Sequence, residues 1–166
     1  LSVGKGEYDA QYNELCELVE KAQAVKDKLL RAVDEDTEAF NEVIAGIRMP
    51  KDTEEQLAVR SAAIRAGYKT AAEVPLETAK LCREVLDLCQ RAADIGNEAV
   101  MSDAGVGALM AYAGVQGALH NVRINLPHTK DPDFIEQVSS ELGVLLDESG
   151  ALCGRIQDQV LLSFGS

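Results

Sequence analysis

Apolar positions return at alternating steps of three and four residues from near the start of the chain to its end. Leu15, Leu18, Ala22, Val25, Leu29 and Ala32 form the first row, which predicts one face of a long helix beginning near Glu7 and packed against others. Counted on without a break, the same rhythm reaches Asp36, Phe40, Val43 and Ile47. Pro50 cannot continue a helix and biases Met49 away from helical backbone, so the first element ends at Arg48-Met49-Pro50-Lys51. A second helix is predicted to open on Asp52 or Thr53, with Thr53 and Gln56 at capping-box spacing. Its inward row reads Leu57, Ile64, Ala71, Thr78, Val85 and Cys89, with a kink or short break at Pro75 and a stop at Gly96. A third helix spans Ser102 to Leu126, with Ser102 or Asp103 as its N-cap and Pro127 as its end. Asp131-Pro132 opens the last, whose row is Ile135, Val138, Leu142, Leu145, Leu152, Ile156 and Val160. No repeat, low-complexity linker or strand-like alternation interrupts this order. The expected fold is all-α, an antiparallel bundle of long helices forming a single domain over residues 1–166.

The third helix is unlike the others. Gly107, Ala111, Gly114 and Ala118 form a ridge with almost no side chain, and Ala104, Ala108 and Val115 flank it. A glycine within a helix costs roughly 0.5–1 kcal/mol relative to alanine, so the four glycines from Gly105 to Gly117 need compensation. Close helix packing and room for a ligand are the two ways to supply it. This segment is therefore expected at the centre of the bundle. At its far end Asn121, Arg123 and Asn125 bring polar chemistry to an apolar helix, whereas His120 beside them reads as an ordinary surface or core histidine.

Composition narrows the class. The chain has 166 residues, no Trp and only 4% aromatic residues, which suits a helical bundle better than a sandwich or barrel. No apolar run reaches the length of a membrane span and no signal peptide is visible, so the expectation is a cytoplasmic protein with no membrane partner. A formal net charge of -12 without a Lys/Arg cluster argues against nucleic acid. Cys16, Cys82, Cys89 and Cys153 include no zinc-type pair, although Cys82 and Cys89 are a heptad apart, and they read as free thiols with no metal site expected.

Asp36 is the residue that asks for an explanation, because the rhythm that buries leucines carries a carboxylate into the same row. A buried carboxylate has a raised pKa unless cations or donors hold it charged, which makes Asp36 a candidate proton acceptor. The alternative is a helix start at Asp34-Glu35-Asp36 with Asp36 as a cap. The SVGKGEY opening lacks the preceding strand and full spacing of a phosphate loop, so by itself it leaves Lys5 a solvated lysine before a helix.

Four stretches carry a resemblance. SDAGVGALMAYAGVQGALHNVRINL, LSVGKGEY, VDEDTEAFNEVIAGIRMPKDTEE and AAEVPLETA are similar to segments of the formiminotransferase-cyclodeaminase family, in the family's order and over almost the whole chain. The resemblance implies an enzyme acting on one-carbon derivatives of tetrahydrofolate. It places the proposed catalytic aspartate of the family on Asp36, makes Asp103 a site candidate as well as a cap, and implies a homodimer. Family members usually begin with a further helix carrying a Pro-Gly-Gly-Gly-Ser stretch, which this sequence lacks. Either the sequence is a piece of a longer chain that carries this helix, or the expectation is a cyclodeaminase-like domain that lacks it, in which case one face of the core is uncovered.

The implied reaction is the cyclodeaminase one. The N10 amine of 5-formiminotetrahydrofolate attacks the formimino carbon, the ring closes, and ammonia leaves to give 5,10-methenyltetrahydrofolate. Asp36 would take the proton, Asn121 and Arg123 would orient the ligand or its carboxylates, and Arg48, Lys51 and Lys5 are further cationic candidates. No metal or redox cofactor is called for. A sibling reaction, cyclohydrolysis of methenyltetrahydrofolate, would use water in place of the amine at a similar site. An alternative from another class is a non-catalytic helical module that binds folate or a partner. Because folates end in a glutamate tail, any such site must be a local basic island on this acidic chain.

Overall fold

The computed structural model describes residues 12–165 and contains four long helices, with no strand among those residues. They are α1 (Tyr12–Arg48), α2 (Glu54–Ile95), α3 (Met101–Asn125) and α4 (Pro132–Ser163). Short 3-10 turns at Glu98–Val100 and Leu126–Thr129 join α2 to α3 and α3 to α4. The expected start of α1 near Glu7 lies outside the described residues.

Local chemistry sets most of the boundaries where the sequence puts them. Thr53 caps α2 by accepting a hydrogen bond from the Gln56 N–H at 3.2 Å, and the Gln56 side chain accepts in return from the Asp52 N–H at 2.9 Å. Asp131 caps α4 by accepting from the Phe134 N–H at 3.2 Å, with Pro132 in the first turn. The start of α3 differs. The 3-10 turn runs directly into the helix, whose cap is Val100, so Ser102 and Asp103 lie inside the first turn and cap nothing. At Pro75 no break occurs, for α2 passes through it as one helix of 42 residues.

α2 and α3 form the central pair, α4 lies across both, and α1 packs along α2. The small-residue ridge of α3 faces α2 as expected. A Cβ at Gly114 would lie 2.8 Å from Cys82 Sγ, and one at Gly107 would lie 3.0 Å from Cys89 Sγ, so the two heptad-spaced thiols occupy space that the missing side chains leave. Yet α3 is not enclosed. Val106, Met110 and Ile124 are 61%, 70% and 67% exposed, because neighbours cover only two sides of the helix.

The seam of α1 is narrower than the sequence suggests. It runs through Val25, Ala32, Ala39, Val43 and Gly46, and the expected Phe40 and Ile47 are exposed. One neighbour needs only a thin stripe, and small residues let α1 approach α2 closely. Ala22, Leu29 and Asp36 form the adjacent row, which looks out over α2 towards α3. A trough is left between α1 and α3 with α2 as its floor.

Candidate active site

The trough has two ends of different character. Near the start of α3 it widens to a cavity of about 640 Å³ lined mainly by apolar side chains such as Leu18, Leu29, Val85 and Leu88, with Lys26 and Asp103 at its edge. Towards the far end of α3 lie two smaller cavities of about 370 and 400 Å³, and Asp36 and Asn121 line both. The first of these includes Pro75, Cys82 and Gly114. The second includes Phe40, Tyr68, Asn125 and His128.

Asp36 is therefore on the expected row but not buried. It is solvent-exposed, the cap reading fails because it lies mid-helix, and its carboxylate has no hydrogen bond or ion pair with any described residue. An unpaired carboxylate at the mouth of a cleft with apolar walls is free to accept a proton from whatever fills the cleft.

The opposing wall is held by an unusual bond. In a helix the N–H of residue 75 would donate to the Ala71 carbonyl, but Pro75 has none. The Asn125 side chain supplies the missing donor, with Nδ2 2.8 Å from the Ala71 oxygen and 3.0 Å from the Asn121 oxygen. The first bond ties α3 to α2 beside the cavity, and the second, within α3, orients the amide for it. Tyr68 and His128 stack alongside, ring centroids 4.5 Å apart. Cys82 is present in the cleft, but burial pushes its thiol pKa up, which makes it a poor nucleophile at neutral pH.

The other sequence-selected residues are dispersed. Asp103 is 18 residues before Asn121 on the same helix, roughly 27 Å along its axis. Arg123 is two residues beyond Asn121, about 200° round the helix, so it faces away from Asp36. Arg48 ends α1 and Lys51 lies in the loop beyond it, whereas Lys5 is outside the described residues. Tyr68 and His128 give no signal in the sequence. Their pairing depends on a 3-10 turn folding back onto α2, which periodicity does not encode. Among the described residues no group of three or more His, Cys, Asp or Glu side chains is placed to hold a metal ion.

This geometry has relatives. The chain is 41% identical over 160 residues to methenyltetrahydrofolate cyclohydrolase of Methylorubrum extorquens, covering 96% of this chain and 77% of that protein. It is 33% identical over 149 residues to formimidoyltransferase-cyclodeaminase of Gallus gallus, covering 90% of this chain and 28% of the longer protein. The crystal structure of formiminotetrahydrofolate cyclodeaminase from Thermotoga maritima superposes with a TM-score of 0.73 at 23% identity, covering 96% of this chain and 74% of that one, and so shares the helical fold. Residues 1–143 match the family pattern itself. With the fold, the length of the match and the identity in agreement, the chain belongs to the formiminotransferase-cyclodeaminase family.

Proposed function

We propose that this chain is a folate one-carbon enzyme that hydrolyses 5,10-methenyltetrahydrofolate to 10-formyltetrahydrofolate, with Asp36 as the base. The observation that carries the reading is the unpaired Asp36 carboxylate sharing its cavities with the Asn121 amide. The substrate carbon is an amidinium cation, which an adjacent carboxylate attracts and orients. Water adds to that carbon while Asp36 takes its proton. The bond from the carbon to the pterin ring nitrogen then breaks, and a proton goes to that nitrogen. One water is consumed and one proton is released, with no redox change and no cofactor required. Asn121 is assigned to orient the ligand, while Arg48, Arg123, Lys51 and Asp103 are assigned no contact with the reacting carbon.

Identity favours the cyclohydrolase, at 41% over nearly the whole chain against 33% and 31% for the formimidoyltransferase-cyclodeaminases of Gallus gallus and Sus scrofa. The second reading is the cyclodeaminase reaction, in which the same carboxylate takes the proton of the attacking amine and ammonia is the leaving group. We also infer a homodimer, because Leu30, Val33 and Phe40 on α1 and Val106, Met110 and Ile124 on α3 leave apolar rows exposed on both walls of the trough.

Assaying the purified protein with both folates tests the reading. Loss of the methenyl chromophore well above the spontaneous rate is expected, with slower or no release of ammonia from the formimino compound. Folate binding without turnover of either would favour a non-catalytic module.

A further inference from the structure

The acidity of the chain sets a condition on any ligand that ends in carboxylates. With a formal net charge of -12, most of the surface repels such a group, and only a local reversal of sign can hold it. Arg48, Lys51 and Arg123 do not provide one beside Asp36, since none of them lines either cavity that holds it.

A reversal of sign does occur beside the cavity that holds Asp36. Next along the chain from the Tyr68–His128 pair are the residues of a cleft of about 390 Å³, lined by Arg65, Lys69, Thr129, Lys130, Asp131 and others. Three cations meet one carboxylate there, and that carboxylate is occupied. Asp131 Oδ1 accepts from the Phe134 N–H at 3.2 Å, and its Oδ2 is 3.8 Å from Lys69 Nζ, which itself sits 4.5 Å above the Phe134 ring. Lys69 is thus held in place by partners on α4.

The other two cations are unspent. Arg65 donates to the Ser61 hydroxyl at 2.8 Å and has no carboxylate partner, and Lys130 has no ion pair among the described residues. Lys130 is also the single non-glycine residue of the described chain at positive φ, 53°. Glycine or asparagine adopts that left-handed backbone more readily, so a lysine at this position is not what the turn alone would select.

The position suits one end of an extended ligand. Tyr68 is one residue from Lys69 and three from Arg65, about 4.5 Å along the α2 axis, and His128 precedes Thr129, so the stacked rings that line the Asp36 cavity are chain neighbours of the residues that line the cleft. The stack is flat and aromatic, as is the aryl unit that joins the reacting half of a folate to its tail.

We propose that this cleft is the subsite for the carboxylates of the ligand's glutamate tail, bound by Arg65 and Lys130 with Lys69 beside them, while the aryl unit crosses the Tyr68–His128 stack. The assignment rests on the folate reading above and adds the residues that recognise the tail. A guanidinium and an ammonium together match two carboxylates, the first as a planar fork and the second as a point charge.

The test pairs a protein change with a ligand change. KM is measured for 5,10-methenyltetrahydrofolate and for the corresponding methenyltetrahydropteroate, which lacks the glutamate, on wild type and on the Arg65→Gln/Lys130→Gln double variant. For wild type, removal of the tail should raise KM about tenfold at low salt, and this advantage should shrink as salt rises. In the double variant the ratio of the two KM values should fall close to one. Because the ratio is taken within each protein, partial loss of folded enzyme leaves it intact.

An undiminished tail advantage in the variant would overturn the subsite while leaving the folate reading standing, since both compounds are still turned over. Equal KM values for the two compounds on wild type would overturn it as well. Failure of wild type to bind or turn over either compound removes the folate reading and this proposal with it.

Discussion

The Asn125 side chain donates to the carbonyl of Ala71, the one acceptor in α2 that Pro75 deprives of its helical partner. A proline inside a helix usually bends or interrupts it. Here the freed carbonyl is bonded by a neighbouring helix, and the bond lies at the cavity shared by Asp36 and Asn121.

Removing that donor should expose the defect. Asn125→Ala leaves a buried carbonyl without a partner and is expected to cost about 1–3 kcal/mol. Pro75→Ala restores a backbone N–H to the same carbonyl, so the double variant should recover part of the loss. Urea denaturation of the four proteins in the cycle measures the coupling. Additive effects would show that Asn125 and Pro75 do not act on one carbonyl.

Two glycines of α3 should respond in opposite directions to the same substitution. A Cβ at Gly114 would meet Cys82 Sγ at 2.8 Å, whereas one at Gly117 meets nothing within 4 Å. Gly114→Ala should therefore destabilise by about 1–3 kcal/mol from overpacking, and Cys82→Ala should relieve it. Gly117→Ala should stabilise the monomer fold by about 0.5–1 kcal/mol through helix propensity. Thermal melts that rank the two variants the other way would contradict the packing of α2 on α3.

Alkaline pH should weaken the fold through its thiols. Burial pushes the Cys82, Cys89 and Cys153 pKa values above the usual 9.0, and for Cys89 the nearby Cys153 adds to the shift. A group whose folded-state pKa exceeds its unfolded value contributes stability that is complete below the unfolded pKa and is lost as pH rises through the folded one. Stability should thus decline from about pH 9 upward, and Cys89→Ala should make the decline shallower than in wild type. Denaturant midpoints from pH 7 to pH 10.5 test this, and parallel profiles for the two proteins would contradict it.

Much of the fold was legible because its determinants are local. Thr53 with Gln56, Asp131 with Pro132, and the stops at Pro50 and Pro127 are short-range signals, and the helices obey them. The glycine ridge of α3 was equally readable, since spacing alone puts Gly107 and Gly114 on one face. Where tertiary contacts decide, the sequence misled. Asp36 was correctly placed on its row by counting, but whether that row is buried depends on how far α1 stands from α3. Phe40 and Ile47 fell outside the seam for the same reason. Pro75 reads as a kink or short break, and the donor that serves the carbonyl it frees lies 50 residues away on another helix. Arg123 and Asn121 looked like neighbours in sequence but point to different sides of α3. Conversely, Arg65, Lys69 and Lys130 come together only when the turn after α3 folds back.

The role of Asp36 is tested by Asp36→Asn, which keeps the shape of the side chain and removes the basic oxygen. The rate of methenyltetrahydrofolate hydrolysis, folate binding and melting temperature should be measured on one preparation of each protein. A catalytic base predicts a fall in turnover of about 100-fold or more, with binding retained and the melting temperature nearly unchanged, because the carboxylate has no partner to lose. Turnover at the wild-type rate by the folded variant would remove Asp36 from the mechanism and leave the cleft between α1 and α3 without its base.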